Sequence, residues 1–155
     1  MSSKKRIAAN KIPGQRKPEK TVGNLGKVLP NSGNSADRIC WRFTHVDHDG
    51  PWGLAKLSPA DMEYLLKKLA DVEKQTVREI FNQSADLGKH YEAHSLPNRI
   101  AQERLVELQL SDMTRISRLR FKGKERLFGF LVDNVFHVVW WDPEHEIWPS
   151  PKKNT

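Results

Sequence analysis

Residues 116–142 read ISRLRFKGKERLFGFLVDNVFHVVWWD, and this stretch decides the fold. Over 116–122 apolar residues alternate with Arg118, Arg120 and Lys122, the period of two that a strand shows when one face is covered. Gly123 interrupts the pattern as a tight turn, and 125–132 reads as the returning strand. Asp133-Asn134 is then a two-residue hairpin connection of the kind that tolerates positive φ. The run 135–142 is almost entirely apolar, which predicts a central strand buried on both faces. Trp140 and Trp141 point to opposite faces, so at least one belongs to the core, leaving the other available to stack on a base. His137, inside this run, reads as a hydrogen-bonded core or sheet-face histidine rather than a catalyst.

Upstream, residues 38–46 alternate with Ile39, Trp41 and Phe43 on one face, and predict a half-buried strand. Asp47-His48-Asp49-Gly50-Pro51 reads as a turn whose acids cap their own backbone. Ser58-Pro59-Ala60-Asp61 supplies an N-cap, a proline at the first helical position and an acid in the first turn. Met62, Leu65, Leu66 and Leu69 follow at helical spacing, and Val72, Thr76 and Ile80 extend the stripe to a helix of about twenty residues. The polar stretch 85–95 predicts a long connection, and 97–108 a second helix with Ile100, Ala101, Leu105 and Leu108 on one face. The resulting order is β-α-α-β-β-β. It predicts an α+β domain with a single antiparallel twisted sheet of about four strands and two helices packed on one face.

Charge divides the chain differently. Residues 1–36 hold eight Lys/Arg against the single acid Glu19, which accounts for the whole formal net charge of +7. The 26 Lys/Arg and 19 Asp/Glu of the chain then leave 18 of each sign for residues 37–155. A Pro/Gly/Asn/Ser-punctuated basic segment with few large apolar residues predicts a disordered tail over 1–36, followed by a folded domain over 37–155. Its Lys4, Lys5 and Arg6 are candidate phosphate contacts. Cys40 is the only cysteine, which excludes an internal disulfide and a thiolate metal cage and suits a reducing, cytoplasmic setting. No membrane association and no cofactor are expected.

Within the neutral domain, Arg115, Arg118, Arg120, Lys122, Lys124 and Arg126 crowd one hairpin, opposed only by Glu125. Like charges at this density repel unless an anion relieves them, and guanidinium forks match phosphate oxygens bidentately. Arg118, Arg120, Lys122, Lys124 and Arg126 are therefore candidate RNA or phosphate ligands. Cleaving RNA by general acid/base chemistry also demands a group that exchanges a proton near neutral pH. His145 is the candidate, and its neighbours Asp142, Glu144 and Glu146 are expected to raise its pKa. Arg126, Arg120 and His145 form the expected catalytic set. The His45, Asp47, His48 and Asp49 cluster has ligand types that can hold a divalent metal, but no rigid pairing fixes their geometry. No metal site is expected.

The element order, the hairpin sequence from Leu119 to Phe130 and the ending His145-Glu146-Ile147-Trp148 together resemble the RelE/YoeB-like (RelE/ParE) superfamily of small bacterial toxins. The hairpin is similar to the family's R-x-x-G-x-x-R-hydrophobic pattern, and the ending to its terminal His-Arg-x-x-Val-Tyr, with Glu146 in place of the arginine. The segment from Trp140 to Ser150 is also similar to the end of a group of uncharacterised bacterial proteins. The toxin resemblance implies an mRNA endoribonuclease (mRNA interferase) that hydrolyses RNA on the ribosome, with an antitoxin as partner. It also implies a carboxylate base near the end of the second helix, Glu107, which no spacing distinguishes from Glu103. Two other classes remain: a non-enzymatic nucleic-acid- or ribosome-binding module, and a protein-interaction or inhibitor protein on the same fold.

Overall fold

The apolar run 135–142 is the second strand of a five-stranded sheet whose strands, in spatial order, are Cys40–Arg42, Val135–Asp142, Arg126–Val132, Arg115–Arg120 and Gly88–Glu92. The computed structural model describes residues 38–152, all within a unit spanning Ala36–Thr155. The expected tail, and with it Lys4, Lys5 and Arg6, lies outside the described residues. In chain order the elements are β1 (Cys40–Arg42), α1 (Pro59–Val72), α2 (Val77–Ile80), β2 (Gly88–Glu92), α3 (Arg99–Glu107), β3 (Arg115–Arg120), β4 (Arg126–Val132) and β5 (Val135–Asp142). No helix of the described residues is long and apolar enough to cross a membrane.

The β3-β4-β5 meander matches the alternation that predicts it, and Asp133 takes the positive φ of 53° expected in its connection. Three expectations about the sheet and its layers are corrected. The sheet has five strands, because Gly88–Glu92 pairs antiparallel with β3 where a connection was expected. It is mixed, because β1 runs parallel to β5. Asn134 sets this edge: its carbonyl accepts from Cys40 N–H at 2.9 Å and its side-chain amide donates to Arg38 O at 2.8 Å. Side-chain alternation carries no information about strand direction, so nothing in the pattern at 38–46 distinguishes parallel from antiparallel.

The third correction concerns the layers. Leu65, Leu69 and Val72 of α1 and Ile80 of α2 share one core with Leu119, Leu127, Phe136, Val138 and Trp141. Ala101 and Leu105 of α3 share another with Ile116, Phe128, Phe130, Val139 and Trp140. The helices therefore cover both faces of the sheet, not one. A register shift at Phe128/Gly129 places Val139 and Trp140 on the α3 face together and returns Trp141 to the α1 face. Both tryptophans are buried, so neither is free to stack on a base.

The long helix expected over 59–80 is broken. Ser58 Oγ accepts from Asp61 N–H at 3.1 Å and starts α1 as read. Four residues past the end of α1, Thr76 and Glu79 form a reciprocal capping box that starts α2. Between them Ile39 N–H bonds to Gln75 O, and Arg38 bridges to Thr76. Backbone groups at the break are thus satisfied by the strand segment entering beside it.

Candidate functional site

The basic hairpin gathers three of its arginines on one face of the sheet. Arg118 stands opposite Phe128, and Arg120 opposite Arg126. Phe128 belongs to the α3-side core, so at a period of two all three arginines stem from that face. Lys89 of β2 is the cross-strand partner of Arg118 and joins them. Gly123 closes the hairpin at φ 56°, a conformation that favours glycine. Lys122 and Lys124 are exposed in the turn, and Lys124 Nζ lies 3.6 Å from Glu144.

Arg118 and Arg126 are not the solvated side chains that charge alternation suggests: they are only 7% and 6% exposed. Arg118 donates to the carbonyls of Asp86 and Leu87, each at 3.3 Å, and to Asp86 Oδ1 at 3.4 Å. Arg120, about half exposed, pairs with Asp86 Oδ2. Arg126 donates to Gly123 O at 2.8 Å and Glu125 O at 2.9 Å. The Nε of Arg118 and of Arg126 is buried without a hydrogen-bond partner, and among the described residues no ion pair joins Arg126 to a carboxylate. Burial, then the charges of Arg118 and Arg120, push the Arg126 pKa down.

Asp86 is the acid that alternation could not place. It sits at φ 49° in the loop before β2, and hydrogen bonds from Arg120 and then Arg118 hold its pKa below the usual carboxylate value. Asp142 stands opposite Arg126 in the register and is fully buried. Its two oxygens accept from Glu146 N–H at 3.0 Å and Ile147 N–H at 2.9 Å, and burial raises its pKa. Those bonds fold the chain back just after β5 and hold His145 at φ 59°. A histidine there costs about 1 kcal/mol of backbone strain or more.

The expected rise in the His145 pKa is corrected. Burial, and next the charge of Arg126, lower it below 6.5, with Arg118 adding to the effect and with Asp142 and a backbone hydrogen bond at Trp148 opposing it. Glu144 and Glu146 do not dominate: Glu146 is turned to accept from Trp52 Nε1 at 3.0 Å. At pH 7 the ring is therefore largely neutral, and it lies within the field of the arginine cluster. Beside this face Tyr91 stacks on Trp148 at 4.1 Å, with Lys89 Nζ 5.3 Å from the Tyr91 ring.

The turn at Asp47 holds a second polar constellation, and it is structural. Asp47 accepts from Arg104 Nη2 at 2.6 Å, Arg104 Nε at 3.0 Å, Trp140 Nε1 at 2.9 Å and Gly50 N–H at 2.9 Å. Burial pushes its carboxyl up, but these hydrogen bonds together outweigh it and hold the pKa at about 2. Among the described residues no group of three metal-ligating side chains gathers. Glu107 pairs with Arg104 at this constellation. His137, expected to be hydrogen-bonded, instead has a buried Nδ1 without a partner.

The chain matches none of the family models, curated proteins or solved structures with which it was compared.

Proposed function

We propose that this protein binds RNA through its phosphates on the Arg118, Arg120 and Arg126 face and cleaves it in the manner of a toxin-like endoribonuclease. The observation that carries this reading is Arg126. The residue is more than nine-tenths buried beside Arg118 and Arg120, has a buried and unpartnered Nε and lacks a carboxylate partner among the described residues. An anion placed there gains charge-assisted hydrogen bonds that the fold leaves unmade. His145, neutral and near this charge, accepts the 2′-hydroxyl proton as the 2′-oxygen attacks phosphorus. The arginines stabilise the added negative charge on the phosphorane. The bond to the 5′-oxygen breaks, that oxygen takes up a proton from water, His145 returns its proton to the solvent, and the products are a 2′,3′-cyclic phosphate and a 5′-hydroxyl end. Action on the ribosome and restraint by an antitoxin are corollaries of the family resemblance and belong to the same proposal.

A second reading, a binding module without catalysis, is favoured by the carbonyls of Asp86, Leu87, Gly123 and Glu125. These already occupy Nη groups of Arg118 and Arg126, so the two arginines also tie loops to the sheet. Cleavage of end-labelled RNA by wild type, Arg120→Ala and His145→Ala separates the readings. The half-exposed Arg120 is expected to lower binding about tenfold on removal, as a lost charge-assisted contact does. Loss of His145 is expected to abolish cleavage with binding kept. Binding by wild type without cleavage selects the module, and cleavage that survives His145→Ala removes that residue from the mechanism.

A further inference from the structure

We infer that the phosphate-binding face continues around the turn end of the β3-β4 hairpin into a cleft on the α1 side, where one nucleotide of a single strand is held. This rests on the RNA-binding reading above and names its substrate class: single-stranded RNA with a base turned out of the stack. The cleft has a volume of about 400 Å³, and its lining includes Tyr64 and Lys68 of α1 with Leu87, Arg120, Phe121 and Lys122. That volume lies toward the small end of ligand pockets. It suits one nucleotide and leaves no room for a base pair.

The lining supplies both halves of a nucleotide site. Lys68, Arg120 and Lys122 are its cations, and Asp71, the acid on the wall, is engaged by Lys74 at 3.1 Å. Arg120 joins the cleft to the phosphate face, because Asp86 holds it beside Arg118. Tyr64 and Phe121 offer aromatic surface, with Phe121 backed by Trp141 at 5.9 Å and Lys68 Nζ 5.7 Å from the Tyr64 ring. The Tyr64 hydroxyl is buried without a well-formed hydrogen bond. A base stacked on these rings and a phosphate on the lysines use the cleft as single-strand sites generally do. A duplex keeps its bases paired and cannot fill it.

The test uses the full chain with 2′-O-methyl oligonucleotides, which resist cleavage, and reads affinity by fluorescence anisotropy with a trinucleotide and a decanucleotide. The decanucleotide is expected to bind at least about tenfold tighter, the scale of one base stacked on an aromatic side chain. Lys68→Ala and Phe121→Ala are expected to remove most of that advantage and leave trinucleotide binding unchanged, whereas Arg120→Ala weakens both. Lys68→Ala changes only a partly exposed helix side chain, so it remains informative if Phe121→Ala fails to fold. A wild-type decanucleotide that binds no tighter than the trinucleotide overturns the cleft and leaves the phosphate face standing. Equal losses on both lengths for Lys68→Ala also overturn it. Failure of wild type to bind either length overturns the RNA reading itself.

Discussion

Asp47 shows how one side chain comes to carry much of the fold. Its carboxylate is fully enclosed and receives Arg104 from α3, Trp140 from β5 and the Asp49 and Gly50 amides of its own turn. Removing it leaves a guanidinium only 16% exposed, an indole N–H and two amides without their acceptor. Breaking one side of such a buried pair costs about 3–5 kcal/mol. Asp47→Ala is therefore expected to lower the urea midpoint by the equivalent of that amount, and a loss under about 1 kcal/mol shows that water replaces the carboxylate. Gly50→Ala acts on the same centre through space, since a Cβ there meets Asp47 Oδ2 and Arg104 Nε. Its loss should be largely absorbed in an Asp47→Ala background, because neighbouring changes of this kind are not additive.

The elements divide by how much of their environment is local. β3, β4 and β5 are legible because alternation and turn residues are properties of adjacent positions, and 135–142 matches its expected bounds. The break between α1 and α2 was equally legible: Thr76-Val77-Arg78-Glu79 is a capping-box sequence, masked by the apolar stripe that runs on through Val72 and Ile80. Thr76→Ala should cost roughly 1 kcal/mol, the usual worth of an N-cap, read as a lower denaturation midpoint. No change would mean that the bridge to Arg38 alone holds the break. β2 hid because an edge strand needs apolar residues on little of its surface, and Gly88-Lys89-His90-Tyr91-Glu92 offers few. The arginine cluster was visible as charge density, but its burial and its carboxylate Asp86 depend on β2 lying beside β3. The neutral state of His145 was not legible either, because sequence neighbours are acids whereas the ring feels arginines from other strands.

At the scale of the whole molecule, pH reports on these buried groups in a defined order. His90 stacks on Phe81 at 4.1 Å with Nδ1 2.7 Å from Ser117 Oγ; burial, then the charge of Arg115, bring its pKa from 6.5 to about 4. His137 and His145 are lowered in the same direction, each chiefly by burial. A histidine whose folded pKa is depressed binds its proton more readily when unfolded, so its stabilisation is full above about 6.5 and is lost as pH falls toward the folded value. His90 alone accounts for at most about 3 kcal/mol over that interval, from the free-energy equivalent of its shift. Asp47 follows the same sign lower down: its contribution is present above its ordinary 3.8 and disappears as pH falls toward about 2. Asp142 has the opposite sign, since its raised pKa favours the folded state while protonated and that benefit fades as pH rises. It therefore offsets part of the histidine loss near its own titration. The expected profile is a decline in unfolding free energy from pH 7 to pH 4.5, then a second and steeper one below pH 4. Urea unfolding of wild type and His90→Gln across this range checks it: the substitution should flatten the upper decline and leave the lower one in place. A wild-type profile level between pH 7 and pH 4.5 would mean that protonated His90 reaches solvent at no cost, and that the edge strand β2 opens far more easily than its pairing with β3 implies.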